Sequence, residues 1–172
     1  EQNSAPVARG TAHHKFLQYC NFEQARASLD TEIDRLLNDG KLTQEQVKMI
    51  DRKTLNQFLS TKLIGRIIAS QLVMREKRFT ARLKPSVVFD EYKNVETDAT
   101  VIIQGAVDLA FVEDGKLVIV DYKTDRVKDI TKLADLYKKQ LDLYKSAMEQ
   151  SEELTVKECI LCSIHLGSYI TV

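Results

Sequence analysis

A chain of 172 residues is long enough to bury one sizeable core, and 44% hydrophobic with 29% charged content is ordinary for a globular domain. Its 25 basic residues balance 25 acidic ones, which argues against a free-standing binder held to nucleic acid by bulk charge but not against a catalytic module delivered there by attached domains. No apolar run reaches membrane-spanning length, and three cysteines give no disulfide framework, which points to a reducing compartment.

Residues 1–9 lack a starting methionine and a signal-peptide pattern, and they read as a linker at the cut edge of a longer chain. Residues 10–172 then form a single domain. Gly10 to Cys20 suits a short helix with Phe16, Leu17 and Cys20 inward. Phe22 to Leu37 places Leu29, Ile33, Leu36 and Leu37 at helical spacing and stops at Asn38-Asp39-Gly40. Thr43 and Gln46 match a capping box, and Leu55 to Ala69 continues as helix with a break near Ser60-Thr61. Leu72 to Leu83 turns to strand, Pro85 and Glu91 to Thr100 mark an excursion, Leu133 to Met148 is an amphipathic helix, and Thr155 to Val172 returns to strand. The order predicts an α/β layer structure with a helical first half. Cys159 and Cys162, three apart in an apolar strand, should point to opposite faces as buried core residues, with His165 structural beside them.

Between the excursion and the last helix lie two β-rich runs, Val101–Glu113 and Lys116–Thr124, joined by Asp114-Gly115. That dipeptide is a strong hairpin signal because both turn residues must accept positive φ. A two-residue loop makes the numbers of every cross-strand pair sum to 229, so Asp108 faces Asp121, and Lys123 shares the face of Asp121. One face then carries Val101, Ile103, Val107, Leu109, Phe111, Val118, Val120 and Tyr122, and the other gathers Gln104, Ala106, Asp108, Asp121 and Lys123 at one end. Gly105 allows close backbone approach or a bulge that would shift this register. Opposed carboxylates repel, so the pair calls for a cation. A hard divalent ion held by two carboxylates, with a lysine alongside, suits phosphodiester hydrolysis. The alternative is a solvated sheet edge carrying an Asp–Lys salt bridge. Either His13 or His14 can face such a site from the first helix; spacing does not decide. Gln140 and Tyr144, four apart on one helix face, equally suit the edge of a core stripe with Leu133, Leu136, Tyr137 and Leu141. The basic stretch Arg75, Lys77, Arg78, Arg82 and Lys84 reads either as a solvated face or as a phosphate contact.

Four segments together resemble the RecB-type branch of the PD-(D/E)XK nucleases, in particular the nuclease domains of AddA-type helicase–nucleases. They are Arg9-Gly-Thr-Ala-His-His14, Gly105-Ala-Val-Asp108, Val120-Asp-Tyr-Lys-Thr-Asp125 and Gln140-Leu-Asp-Leu-Tyr144. The resemblance runs from Gly10 to the terminal strand and implies a restriction-endonuclease-like core, a mixed central sheet flanked by helices. It selects His14 and implies a metal held by His14, Asp108, Asp121 and the Tyr122 backbone carbonyl, with Asp108, Asp121 and Lys123 catalytic. Gln140, Tyr144 and Glu76 would support the site or position DNA. Mg²⁺, with Mn²⁺ able to substitute, is the implied cofactor; the iron–sulfur cluster of some relatives needs four cysteines and is not expected here. Implied partners are single-stranded DNA, helicase domains upstream in the same polypeptide and an AddB-type partner protein, in the bacterial cytoplasm with no membrane, during double-strand-break repair. The competing expectation is an inactive domain of the same fold serving as a DNA-recognition or protein-interaction scaffold.

Overall fold

The computed structural model describes residues 5–172. Six helices come first: α1 (Ala5–Tyr19), α2 (Phe22–Ala27), α3 (Leu29–Asn38), α4 (Gln44–Met49), α5 (Arg52–Leu59) and α6 (Lys62–Ala69). Strand β1 (Val73–Leu83) leads through a short helix α7 (Pro85–Val88) and a 3-10 turn at Asp90–Tyr92 to β2 (Val101–Glu113) and β3 (Lys116–Lys123). The long helix α8 (Ile130–Glu152) connects β3 to β4 (Val156–Ser163), and β5 (Ser168–Thr171) ends the sheet.

Local chemistry sets these boundaries. Pro6 sits in the first turn of α1, where its fixed φ suits the helix and its missing N–H forfeits no bond, so α1 starts ahead of Gly10. Of the predicted linker, residues 5–9 are therefore helical and residues 1–4 lie outside the described residues. Ser28 divides the predicted Phe22–Leu37 helix, because its hydroxyl accepts from Thr31 N–H and starts α3. Thr43 and Gln46 make the full capping box, and Ser60-Thr61 separates α5 from α6. Gly167, at φ 59°, turns the predicted last strand into two and leaves His165 exposed in the turn, not within a strand.

The sheet order is β1-β2-β3-β4-β5, antiparallel throughout except for the parallel β3–β4 pair that α8 bridges. Helices α1 to α6 bury Phe16, Ile33, Phe58 and Ile64 against Leu109, Phe111, Val118 and Val120 on one face. On the other face α8 buries Leu133, Leu141 and Met148 against Val107, Ala110, Ile119 and Leu161. The result is three layers with a greasy seam on each side of the sheet. Cys162 faces the first seam and Cys159 the second, both free. Among the described residues no helix is long and apolar enough to cross a membrane.

Alternation slips once in the first two strands. Val73 and Leu109 face the six-helix layer, whereas the odd-numbered Phe79, Val107 and Ile103 face α8. This corrects the expectation that Ile103 and Val107 share a face with Leu109 and Phe111. The irregularity is not at Gly105. It is at Glu76 and Asp108, the one pair missing from an otherwise continuous β1–β2 ladder running from Val73↔Phe111 to Leu83↔Val101. Glu76 has φ 48°, a left-handed conformation that costs a non-glycine residue energy and swaps the faces of both strands together.

Candidate active site

The hairpin turn forms at Asp114 (φ 53°) and Gly115 (φ 72°), and the pairs from Glu113↔Lys116 to Leu109↔Val120 follow the expected register. The ladder stops there. Asp108 does not pair with Asp121 through the backbone; its Oδ2 accepts from Tyr122 N–H at 2.7 Å, so a side chain takes the place of a strand. The face slip at Glu76 and Asp108 is what turns this carboxylate toward β3. Tyr122 N–H therefore faces the gap between β2 and β3, and its carbonyl faces the same way. On the other side β3 stays paired to β4 as far as Lys123↔Ser163. The site is a split between two strands, floored by β4.

Into this split α1 brings His14, whose Nδ1 is 3.8 Å from Asp108 Oδ1 and whose ring meets Tyr122 edge-on at 6.1 Å. His13 is used elsewhere. Its Nδ1 donates to Arg9 O at 2.8 Å and its Nε2 accepts from Asp51 N–H at 3.0 Å, which makes it a buried, neutral strut between α1 and α5. Gly10 lets α1 come this close. A Cβ there would stand 2.7 Å from Thr124 Oγ1, next to Lys123.

Asp121 is 5% exposed and points toward α8 with Lys123. Lys123 Nζ lies 2.8 Å from Asp121 Oδ2 as an ion pair, but no donor is aligned on that oxygen, which is buried without a hydrogen bond. The same ammonium donates to Gln140 Oε1 at 2.8 Å, and Gln140 Nε2 reaches Tyr144 Oη at 3.3 Å. Gln140 and Tyr144 are thus tied to the lysine in series. Behind them Tyr144 meets the Phe79 ring edge-on at 5.5 Å, and Phe79 fills the space that Gly105 leaves open, where a Cβ would stand 2.7 Å from Cζ. Gly105 thus serves close approach.

Burial sets the electrostatics. It pushes the Asp108 carboxyl up to about 7, with Asp121 and Glu76 adding to the rise, and it raises Asp121 against the pull of Lys123. Burial also lowers His14, against the opposing charges of Asp121 and Glu76 and a hydrogen bond from the Tyr122 backbone. A neutral imidazole, two carboxylates and a backbone carbonyl are suitable donors for a divalent ion, and the orphaned Asp121 oxygen is the observation that fits one. Among the described residues no three His, Cys, Asp or Glu side chains are drawn together as a ready-made cage, because Asp108 is turned to Tyr122 N–H and Asp121 to Lys123.

Three neighbours were not singled out from sequence for the parts they play. Tyr137 and Asp125 flank Lys123. Arg75, expected on a solvated face or a phosphate, instead donates to the carbonyls of Leu17, Gln18 and Cys20 and stacks on Phe22 at 4.4 Å, capping the helix that carries His14. Lys77 pairs with Glu152 at 3.0 Å.

A family profile for the PD-(D/E)XK nuclease superfamily matches residues 1–166. An AddA-type ATP-dependent helicase/nuclease from Clostridium botulinum (strain 657) is 32% identical over 171 residues, covering 98% of this chain and 13% of that protein. Its namesake from Clostridium acetobutylicum is 29% identical over 175 residues, with 98% and 14% covered. The chain thus spans a small part of these relatives' length. The crystal structure of SSO0001 aligns with 92% of this chain and 64% of its own at 14% identity and a TM-score of 0.42.

Proposed function

We propose that this chain, which belongs to the PD-(D/E)XK nuclease superfamily, is a metal-dependent deoxyribonuclease, the phosphodiester-cutting module of a helicase–nuclease. The observation that carries the reading is the split between β2 and β3, where His14, Asp108, Asp121 and Lys123 converge around a buried carboxylate oxygen with no donor. His14, Asp108, Asp121 and the Tyr122 carbonyl would hold Mg²⁺, or Mn²⁺ in its place. Bound there, the ion would supply Lewis-acid polarisation of the scissile phosphate and a lowered pKa for the attacking water.

The chain's own groups do the rest. Burial keeps His14 neutral, so its ring offers a lone pair. Lys123 places a positive charge beside Asp121, where it can orient the water or neutralise charge growing on the phosphoryl oxygens. Gln140 and Tyr144 fix that ammonium, and Glu76 adds negative charge beside Asp108 and His14. The names of the relatives support helicase domains in the same polypeptide, single-stranded DNA as substrate, an AddB-type partner and a place in double-strand-break repair. An inactive scaffold of this fold is the alternative; retention of both aspartates and the lysine around one split weighs against it.

Calorimetric titration with Mn²⁺ tests this directly. Saturable binding is expected in the wild type and lost in Asp108→Ala, while Lys123→Ala should bind the ion and fail to cut. Absent binding, or binding indifferent to Asp108→Ala, would sink the proposal.

A further inference from the structure

Lys123 is a point charge on a flexible four-carbon stem, and its usefulness depends on where the ammonium rests. Two of its contacts are polar, Asp121 Oδ2 and Gln140 Oε1, each at 2.8 Å. The third is the ring of Tyr137, whose centroid lies 4.0 Å from Nζ. Tyr137 stands three residues ahead of Gln140 on α8, so both reach the lysine from one helix face. Its hydroxyl lies 3.3 Å from both oxygens of Asp125, the carboxylate two residues beyond Lys123. Asp125 is an exposed competitor for the ammonium. Tyr137 meets both needs, since its ring attracts the cation and its hydroxyl occupies the rival acid.

We infer that Tyr137 is a positioning residue that holds the Lys123 ammonium on Asp121 and Gln140 and keeps Asp125 from capturing it. The importance of this placement for cutting rests on the nuclease reading; the placement itself does not. With the ring removed, the lysine stem is free to swing toward Asp125 and away from the split. A bare core role for Tyr137 would leave the lysine where it is.

The test combines NMR of lysine-labelled protein with cleavage kinetics on single-stranded DNA in Mg²⁺. In the wild type the Lys123 ε-methylene protons should lie upfield, shifted by the aromatic ring. Tyr137→Leu should abolish that shift and lower kcat about tenfold with KM within about twofold, whereas Tyr137→Phe and Tyr137→Trp should keep the shift and most of the rate. Adding Asp125→Ala to Tyr137→Leu should recover part of kcat by removing the competitor. An unchanged lysine resonance in Tyr137→Leu, equal behaviour of the Leu and Phe variants, or a loss confined to KM would overturn the inference; the last would make Tyr137 a substrate contact. The expected shifts in a wild type that cuts no DNA would defeat the nuclease reading and leave the positioning role standing.

Discussion

His13 spends both ring nitrogens on backbone groups, whereas His14, one residue on, turns its ring to Asp108. Their substitution should therefore separate stability from ion binding. His13→Ala orphans the buried Asp51 N–H and should cost about 1–3 kcal/mol in urea unfolding. His14→Ala should stay within about 1 kcal/mol of the wild type and lose most of its Mn²⁺ affinity. Equal destabilisation by both, with Mn²⁺ binding retained, would reverse the roles. Nothing in local spacing separates the two histidines, because the partner that claims His13 lies 38 residues away. The aspartates and Lys123 were legible earlier, since strand alternation alone puts Asp121 and Lys123 on one face.

Among the elements, β1 and β2 carry the most consequential irregularity. The hairpin register was readable because Asp114-Gly115 fixes it locally, and the ladder follows as far as Leu109↔Val120. The face switch at Glu76 and Asp108 was not readable. A positive φ at glutamate is disfavoured by its own chemistry and exists only because the surrounding packing imposes it. Past the switch, Phe79 rests on Gly105 and supports Tyr144, which links the glycine to Lys123 through Gln140. Gly105→Ala should thus cost about 1–3 kcal/mol by overpacking and also slow cleavage, and Phe79→Leu in the same chain should restore part of both. Strictly additive losses in the double variant, followed by chemical denaturation and initial rates, would show that the two residues are not coupled.

At the scale of the whole molecule, the far end of the sheet is fastened by charge. Arg66 of α6 bonds Glu113 of β2 at 2.7 Å and also Glu158 of β4, while Lys157 bridges Glu113 and Asp114 at 2.7 Å each. Arg66 first and Lys157 second hold the Glu113 carboxyl at about 2, below its ordinary 4.5. A carboxylate whose pKa falls on folding adds stability that is fully present above about 4.5 and is lost as pH drops toward 2. The thermal midpoint should fall across that window, and Glu113→Gln should shrink the fall by about 2 °C or more. An unchanged acid limb in Glu113→Gln would show that this network does not stabilise the layers. Because the fastening lies at the turn end and the split at the other, this variant should cut DNA at the wild-type rate.

The split itself is tested most directly by hydrolysis of single-stranded DNA in Mg²⁺, comparing the wild type with Asp121→Ala and Lys123→Ala. The wild type should release shortened products, and both variants should be slowed by about 10²–10³-fold. A wild type that leaves the strand intact, or an Asp121→Ala chain that cuts at the wild-type rate, would contradict the assignment of this split as a nuclease site.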